Sequence, residues 1–311
     1  MDIDLDAIPN GFEVRGGLPR PNWDSIWAWF ESHVDEAVLG ERWDAVVRLW
    51  LARLCRALQT GYEVYESDKF MLLSSLGEDA SERILYWCES ARRKTHESLP
   101  GLATAEYSWK WVVLAFADAE SYYDFVADLY PEEGEFGASG GTCVSGFGQI
   151  ILYANPKLDL ERTVAHEIAH AQLSNLPLPA WLDEGVTQIL EDIIVGNSWF
   201  LMTADIKSEH RQYWSEETIS HFWSGNSFHA PDDGQKLSYS LAQVLVRNMI
   251  ADHRKKFQEF LRAADWKDAG EAAAREKLGV SLADCVAQFL GPGNWRPANN
   301  YETIDVEASD L

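Results

Sequence analysis

Two histidines one helical turn apart constrain this chain more tightly than anything in its composition. They lie in TVAHEIAHAQ, residues 163–172, as His166 and His170, with Glu167 directly after the first. Side chains at i and i+4 of an α-helix project from one face, so both imidazoles can meet a single ion. The pattern His-Glu-x-x-His can hold zinc. Its neighbours favour a helix: Leu160, Val164, Ile168 and Leu173 recur at helical spacing, and Asp159 is placed to cap the first turn. Zinc in a catalytic site usually takes three protein ligands and keeps a fourth position for water, so a further ligand must arrive from another element. The following stretch, NLPLPAWLDEGVTQILEDI, reads as a short loop and a helix beginning near Ala180 that carries Glu184. A carboxylate from that second, antiparallel helix is a sound third ligand.

The bulk properties narrow the partners. A chain of 311 residues can bury a substantial core as one large domain, or one domain with an appendage. A hydrophobic fraction of 46% and an aromatic fraction of 12% are those of a folded, soluble protein. The net charge of −24 argues against nucleic acid or an anionic membrane as partner, both being polyanions. The first residues, MDIDLDAIPNGFEVRGG, carry no basic and apolar leader, and no apolar run approaches the roughly 18 residues of a membrane span. The expected location is cytoplasmic. Cys55, Cys88, Cys143 and Cys285 form no C-x-x-C pair, and the three in helix-like patterns (Cys55, Cys88 and Cys285) are expected to be buried free thiols.

Along the chain, a helical front precedes a mixed body. PNWDSIWAWFESHV reads as a helix capped by Asn22, and Trp43, Val47, Trp50, Leu54 and Leu58 mark a second helix closed by Gly61. These Trp-rich faces are expected to pack on the body. YEVYESDKFMLLSS reads as one strand, residues 81–99 as a helix, and WKWVVLAFA as a second strand. Asp118 can cap a helix that turns Tyr122, Phe125, Val126 and Leu129 inward. GEFGASGGTCVSGFG is a loop or hairpin, and QIILYA a third strand. The glycine run lacks the G-K-[ST] ending of a phosphate cradle. The expected division is a tail and helical segment over 1–60, a main domain over 61–292 and a tail over 293–311.

His166-Glu167-x-x-His170 followed by Trp181-Leu182-Asp183-Glu184-Gly185 resembles the gluzincin metallopeptidases, and the short separation resembles their compact peptidase-MA-like branch. The resemblance covers roughly residues 62–290. It implies an α+β, thermolysin-like catalytic domain with a small mixed sheet, an edge strand (here QIILYA), an active-site helix and C-terminal helices. The longer metzincin motif is absent, since Leu173 and Leu176 stand where Gly and His are needed, and so is the G-x-M-E-N signature of zinc aminopeptidases. Gln188 stands one turn beyond Glu184, so an acid steadying a histidine must come from elsewhere, with Asp183 and Glu191 the candidates.

The ligand set implies a chemistry. Zinc held by His166, His170 and Glu184 would acidify a bound water, and Glu167 would take its proton and pass it to the leaving amine. A donor for the developing oxyanion is expected between residues 195 and 240. Tyr239 resembles the tyrosine that many gluzincins place before their next helix, although a core role is equally open to it, and His221 and His229 are the reserves. The expected activity is zinc-dependent hydrolysis of peptide bonds in a peptide or protein substrate. The alternatives are a zinc-binding module without turnover and an amide hydrolase acting on a non-peptide substrate. An intact Glu167 weighs against the module, because metal binding alone does not need that acid.

Overall fold

Three strands with long apolar runs need cover on both faces, and the architecture supplies it. The computed structural model describes residues 5–58, 61–103, 107–129, 140–144, 147–154, 159–230, 233–298 and 301. A hairpin of β1 (Phe12–Arg15) and β2 (Leu18–Pro21) leads into α1 (Trp23–His33) and α2 (Leu39–Ala57). Then come β3 (Glu63–Glu66), β4 (Phe70–Ser74), α3 (Glu78–Ser98), β5 (Trp111–Phe116) and α4 (Ala119–Val126). The hairpin of β6 (Gly141–Val144) and β7 (Gln149–Tyr153) precedes α5 (Leu160–Leu173) and α6 (Ala180–Val195). The remainder is helical: α7 (Ala204–Tyr213), α8 (Glu216–Ser224), α9 (Asp233–His253), α10 (Phe257–Ala263), the single turn α11 (Glu271–Ala273) and α12 (Leu282–Leu290). The chain is thus mixed α+β, as expected at that level. Among the described residues no helix is long and apolar enough to cross a membrane.

The main sheet has the order β3-β4-β5-β7-β6, with β4, β5 and β7 parallel and both outer strands antiparallel. Alternate residues divide its two faces. Phe70, Leu72, Trp111, Val113, Ala115, Ile150 and Leu152 join the core built by α3, α5 and the C-terminal helices. Met71, Leu73, Val112, Leu114, Phe116 and Ile151 face α1, α2 and α4. On that second face Trp43 stacks on Trp23 at 5.4 Å and on Phe147 at 5.6 Å. The Trp23 indole N–H donates to Gln149 Oε1 at 2.8 Å, joining the front helices to β7.

Several local expectations hold. Asn22, Asp118 and Asp159 each accept a hydrogen bond from the third residue beyond, capping α1, α4 and α5. Others need correction. QIILYA is not the edge strand: β7 lies inside the sheet, and β6 from the glycine-rich segment covers its flank. YEVYESDKFMLLSS is two strands, because polar Ser67, Asp68 and Lys69 turn the chain between β3 and β4. The helix expected from 81 starts at Glu78, and α2 ends at Ala57, with Leu58 extended. Of the three cysteines expected to be buried, only Cys88 is fully so; Cys55 and Cys285 are half-buried, and all four are free thiols. Residues 134–139 and 145–146 of the glycine run, and 299–300 and 302–311 of the tail, lie outside the described residues.

Candidate metal centre

The two central helices of the site are joined by a short turn and lie side by side. On α5, His166 and His170 project from one face, and their Nε2 atoms are 3.0 Å apart. On α6, Glu184 brings Oε2 to 3.4 Å from each Nε2. That oxygen is buried and accepts no hydrogen bond. A buried carboxylate oxygen without a donor is costly unless a cation meets it. His166, His170 and Glu184 therefore form a group that could hold a metal ion, the three positions named from sequence.

Each histidine is held from behind. His166 Nδ1–H donates to Glu191 Oε2 at 3.0 Å, and His170 Nδ1–H to Asp183 Oδ2 at 2.9 Å. Both acids left open by the sequence are used, one per ring. With Nδ1 as donor, the neutral ring keeps its lone pair on Nε2, aimed at the shared point. Burial pulls the His166 imidazole down, but the Glu184 and Glu191 carboxylates override it and hold the group at about 9. Burial likewise opposes charge on His170, and Asp183 and Glu184 raise it well above the usual range. Burial pushes Glu184 up, yet the two imidazoles draw it well below an ordinary carboxylate. In physical terms this is a negative pocket seeking positive charge.

Glu167 is 6% exposed and lies against β6. A Cβ at Gly141 would stand 2.9 Å from Glu167 Cγ and 3.0 Å from its Oε1, so only glycine lets the edge strand come this close. Burial raises the Glu167 carboxyl above its ordinary range, with the two histidines pulling the other way. Among the described residues, it accepts no hydrogen bond. Cys143, also on β6, is pushed up to about 12, first by burial and then by the Glu167 charge. It is a thiol at neutral pH and unsuited to act as a nucleophile.

The third helix of the site is α9. A Cβ at Gly185 would meet Val246 Cγ2 at 2.6 Å and Ala242 O at 2.8 Å, so this glycine lets α6 and α9 pack closely. The approach brings the Tyr239 hydroxyl to Glu184 Oε1, to which it donates at 3.2 Å. Gln188 donates to the Tyr239 carbonyl at 3.0 Å and ties the same two helices. Tyr239 therefore lies at the cluster, with its ring edge-on to Phe228 at 5.3 Å. His221 and His229 are exposed, and neither imidazole bonds a residue of the cluster.

Two arginines near the cluster escaped the sequence reading. Arg162, on the first turn of α5, is 6% exposed and donates to Glu191 and Asp192. Arg247, on α9, donates to Asp192 and Ser198. The position of Arg162 four residues before His166 was the available signal, but its partners on α6 appear only once the helices pack. No family model matches the chain, and no curated protein matches it.

Proposed function

We propose that the protein is a zinc-dependent hydrolase that cleaves peptide bonds with an activated water. The observation that carries this reading is the triangle of donor atoms, with sides of 3.0, 3.4 and 3.4 Å, next to a buried carboxylate that is not part of it. Three ligands about 2.0–2.1 Å from a tetrahedral zinc stand roughly 3.3–3.4 Å apart, and the ligand types suit that ion. A zinc ion held by His166, His170 and Glu184 would supply Lewis acidity toward a carbonyl oxygen and lower the pKa of water to about 7.

The chain's own residues account for the proton movements. Glu167 would accept a proton from the attacking water and return it to the leaving amine. Asp183 and Glu191 hold the two imidazoles in the ligating tautomer throughout. The Tyr239 hydroxyl is proposed to turn from Glu184 toward the substrate oxygen as charge develops there. The peptide preference rests on β6. Its inner side pairs with β7, its outer side pairs with no described strand, and it lies over Glu167. An extended substrate can add there by backbone hydrogen bonds. The gluzincin resemblance of the motif agrees with this reading.

The test combines metal analysis with cleavage of an unbiased peptide library. About one zinc per chain is expected, removable by chelator and lost in His166→Ala and in His170→Ala. Glu167→Gln should keep the zinc and lose cleavage. Full zinc occupancy in both histidine variants would refute the ligand set, and undiminished cleavage by Glu167→Gln would refute the general base.

A further inference from the structure

Glu191 has two oxygens and two distinct partners. Oε2 accepts from His166 Nδ1 at 3.0 Å, and Oε1 accepts from Arg162 Nη1 at 2.5 Å. The same Nη1 reaches Asp192 Oδ1 at 3.0 Å. Nη2 donates to the Asn197 carbonyl at 3.0 Å and to its Oδ1 at 2.5 Å, and the Trp199 ring lies 4.4 Å from Cζ. One guanidinium thus joins the start of α5, the end of α6 and the segment beyond it. It stands one carboxylate away from His166.

We infer that Arg162 is a positioning residue for the metal site: its planar fork holds Glu191, and through Glu191 it fixes the direction in which His166 presents Nε2. This rests on the zinc-site reading above. Glu191 has no other donor on Oε1 among the described residues, so without Arg162 its carboxylate is free to swing toward water. His166 would then lose the acceptor that selects its tautomer and its ring orientation. A purely electrostatic role makes the opposite prediction. Removing a cation from a negative pocket leaves more negative charge near the ion, which favours binding of another cation. Orientation and charge therefore pull zinc affinity in opposite directions, and substitutions can tell which governs.

Lysine keeps the charge but not the fork, since one ammonium cannot make the paired contacts to Glu191, Asp192 and Asn197. Affinity for Zn2+ alone would be measured by competition with a chromophoric chelator, well below the melting temperature. The Co2+ form would report ligand geometry through its visible absorption. Loss of the groups that orient a ligand typically weakens binding 10–100-fold. The expected result is about 10-fold weaker Zn2+ binding in both Arg162→Gln and Arg162→Lys, with an altered Co2+ spectrum. Glu191→Gln combined with Arg162→Gln should bind no more weakly than Glu191→Gln alone, because one acts through the other. Should the Arg162 variants fold poorly, Asn197→Ala removes only the exposed anchor of the fork, and a several-fold loss of affinity is expected. Tighter binding in Arg162→Gln with unchanged binding in Arg162→Lys would overturn the inference in favour of charge. Parental affinity in Arg162→Gln and Arg162→Lys, or in Asn197→Ala where it stands in for them, would overturn it while leaving the zinc site intact. A parent protein that takes up no Zn2+ would remove both.

Discussion

His210 gives the fold a sharp acid limit whose size follows from its surroundings. The ring is 0% exposed on α7. The Trp214 indole N–H donates to its Nδ1 at 3.0 Å, so the neutral ring carries its proton on Nε2 and offers it to Ser240 Oγ, also at 3.0 Å. A second ring proton would face the indole N–H, donor against donor. Burial, followed by the charge of Lys236, lowers the imidazole to about 4. The unfolded chain takes up this proton near pH 6.5, whereas the folded one resists until about pH 4. Stability from this residue is therefore complete above pH 6.5 and falls as the pH drops toward 4. At about 1.4 kcal/mol for each pH interval, the loss is about 2 kcal/mol by pH 5 and about 3 kcal/mol by pH 4. The comparison is His210→Gln, whose amide can accept from Trp214 and donate to Ser240 but does not titrate. Urea unfolding of both proteins, apo, at a series of pH values cancels the contributions of the other titrating groups. Parent and variant should differ in acid sensitivity by about 3 kcal/mol between pH 7 and pH 4. Parallel curves would refute the argument, as would an NMR titration of the folded His210 near the ordinary histidine value.

Further consequences follow from the site and the core. Gly141→Ala should force Glu167 aside by several tenths of an ångström and lower kcat about ten-fold with zinc content unchanged, as read by steady-state kinetics and metal analysis. Tyr239→Phe should lower kcat by about 10²–10³ while stability changes by about 1 kcal/mol or less; a normal kcat would return Tyr239 to packing against Phe228. Trp43→Ala, at a site 1% exposed where the ring packs against both Trp23 and Phe147, should cost about 3–5 kcal/mol in denaturant unfolding, and an unchanged midpoint would contradict the packing described.

What could be read from sequence was whatever depends on neighbours along the chain. The helical period places His166 beside His170, and the caps at Asn22, Asp118 and Asp159 are contacts with residues three positions away. Glu184 was legible because it lies in Trp181-Leu182-Asp183-Glu184-Gly185, the stretch that carries the gluzincin resemblance, on the helix that follows the histidine pair. Strand order was not legible, since nothing local to QIILYA says whether a further strand will pair outside it. The β1–β2 hairpin passed unnoticed because its strands have four residues each and carry two prolines and two arginines, not an apolar alternation. Arg162 was missed for a different reason. An arginine on the first turn of a helix normally reaches water, and only the packing of α5 against α6 turns it inward. Asp183 and Glu191 were both candidates from sequence, but their assignment to one ring each needed the register between two helices.

The alternation along the central strands also bears on how this protein can be handled in the laboratory. A fragment beginning at residue 61 would retain every metal-site residue described above. It would nevertheless present Met71, Leu73, Val112, Leu114, Phe116 and Ile151 to solvent with most of their cover gone, because α1 and α2 supply the larger part of that layer. An exposed apolar sheet face of this kind is an aggregation surface. A fragment meant for assaying the candidate metal site should therefore keep the two tryptophan-rich helices, although neither contributes a side chain to it.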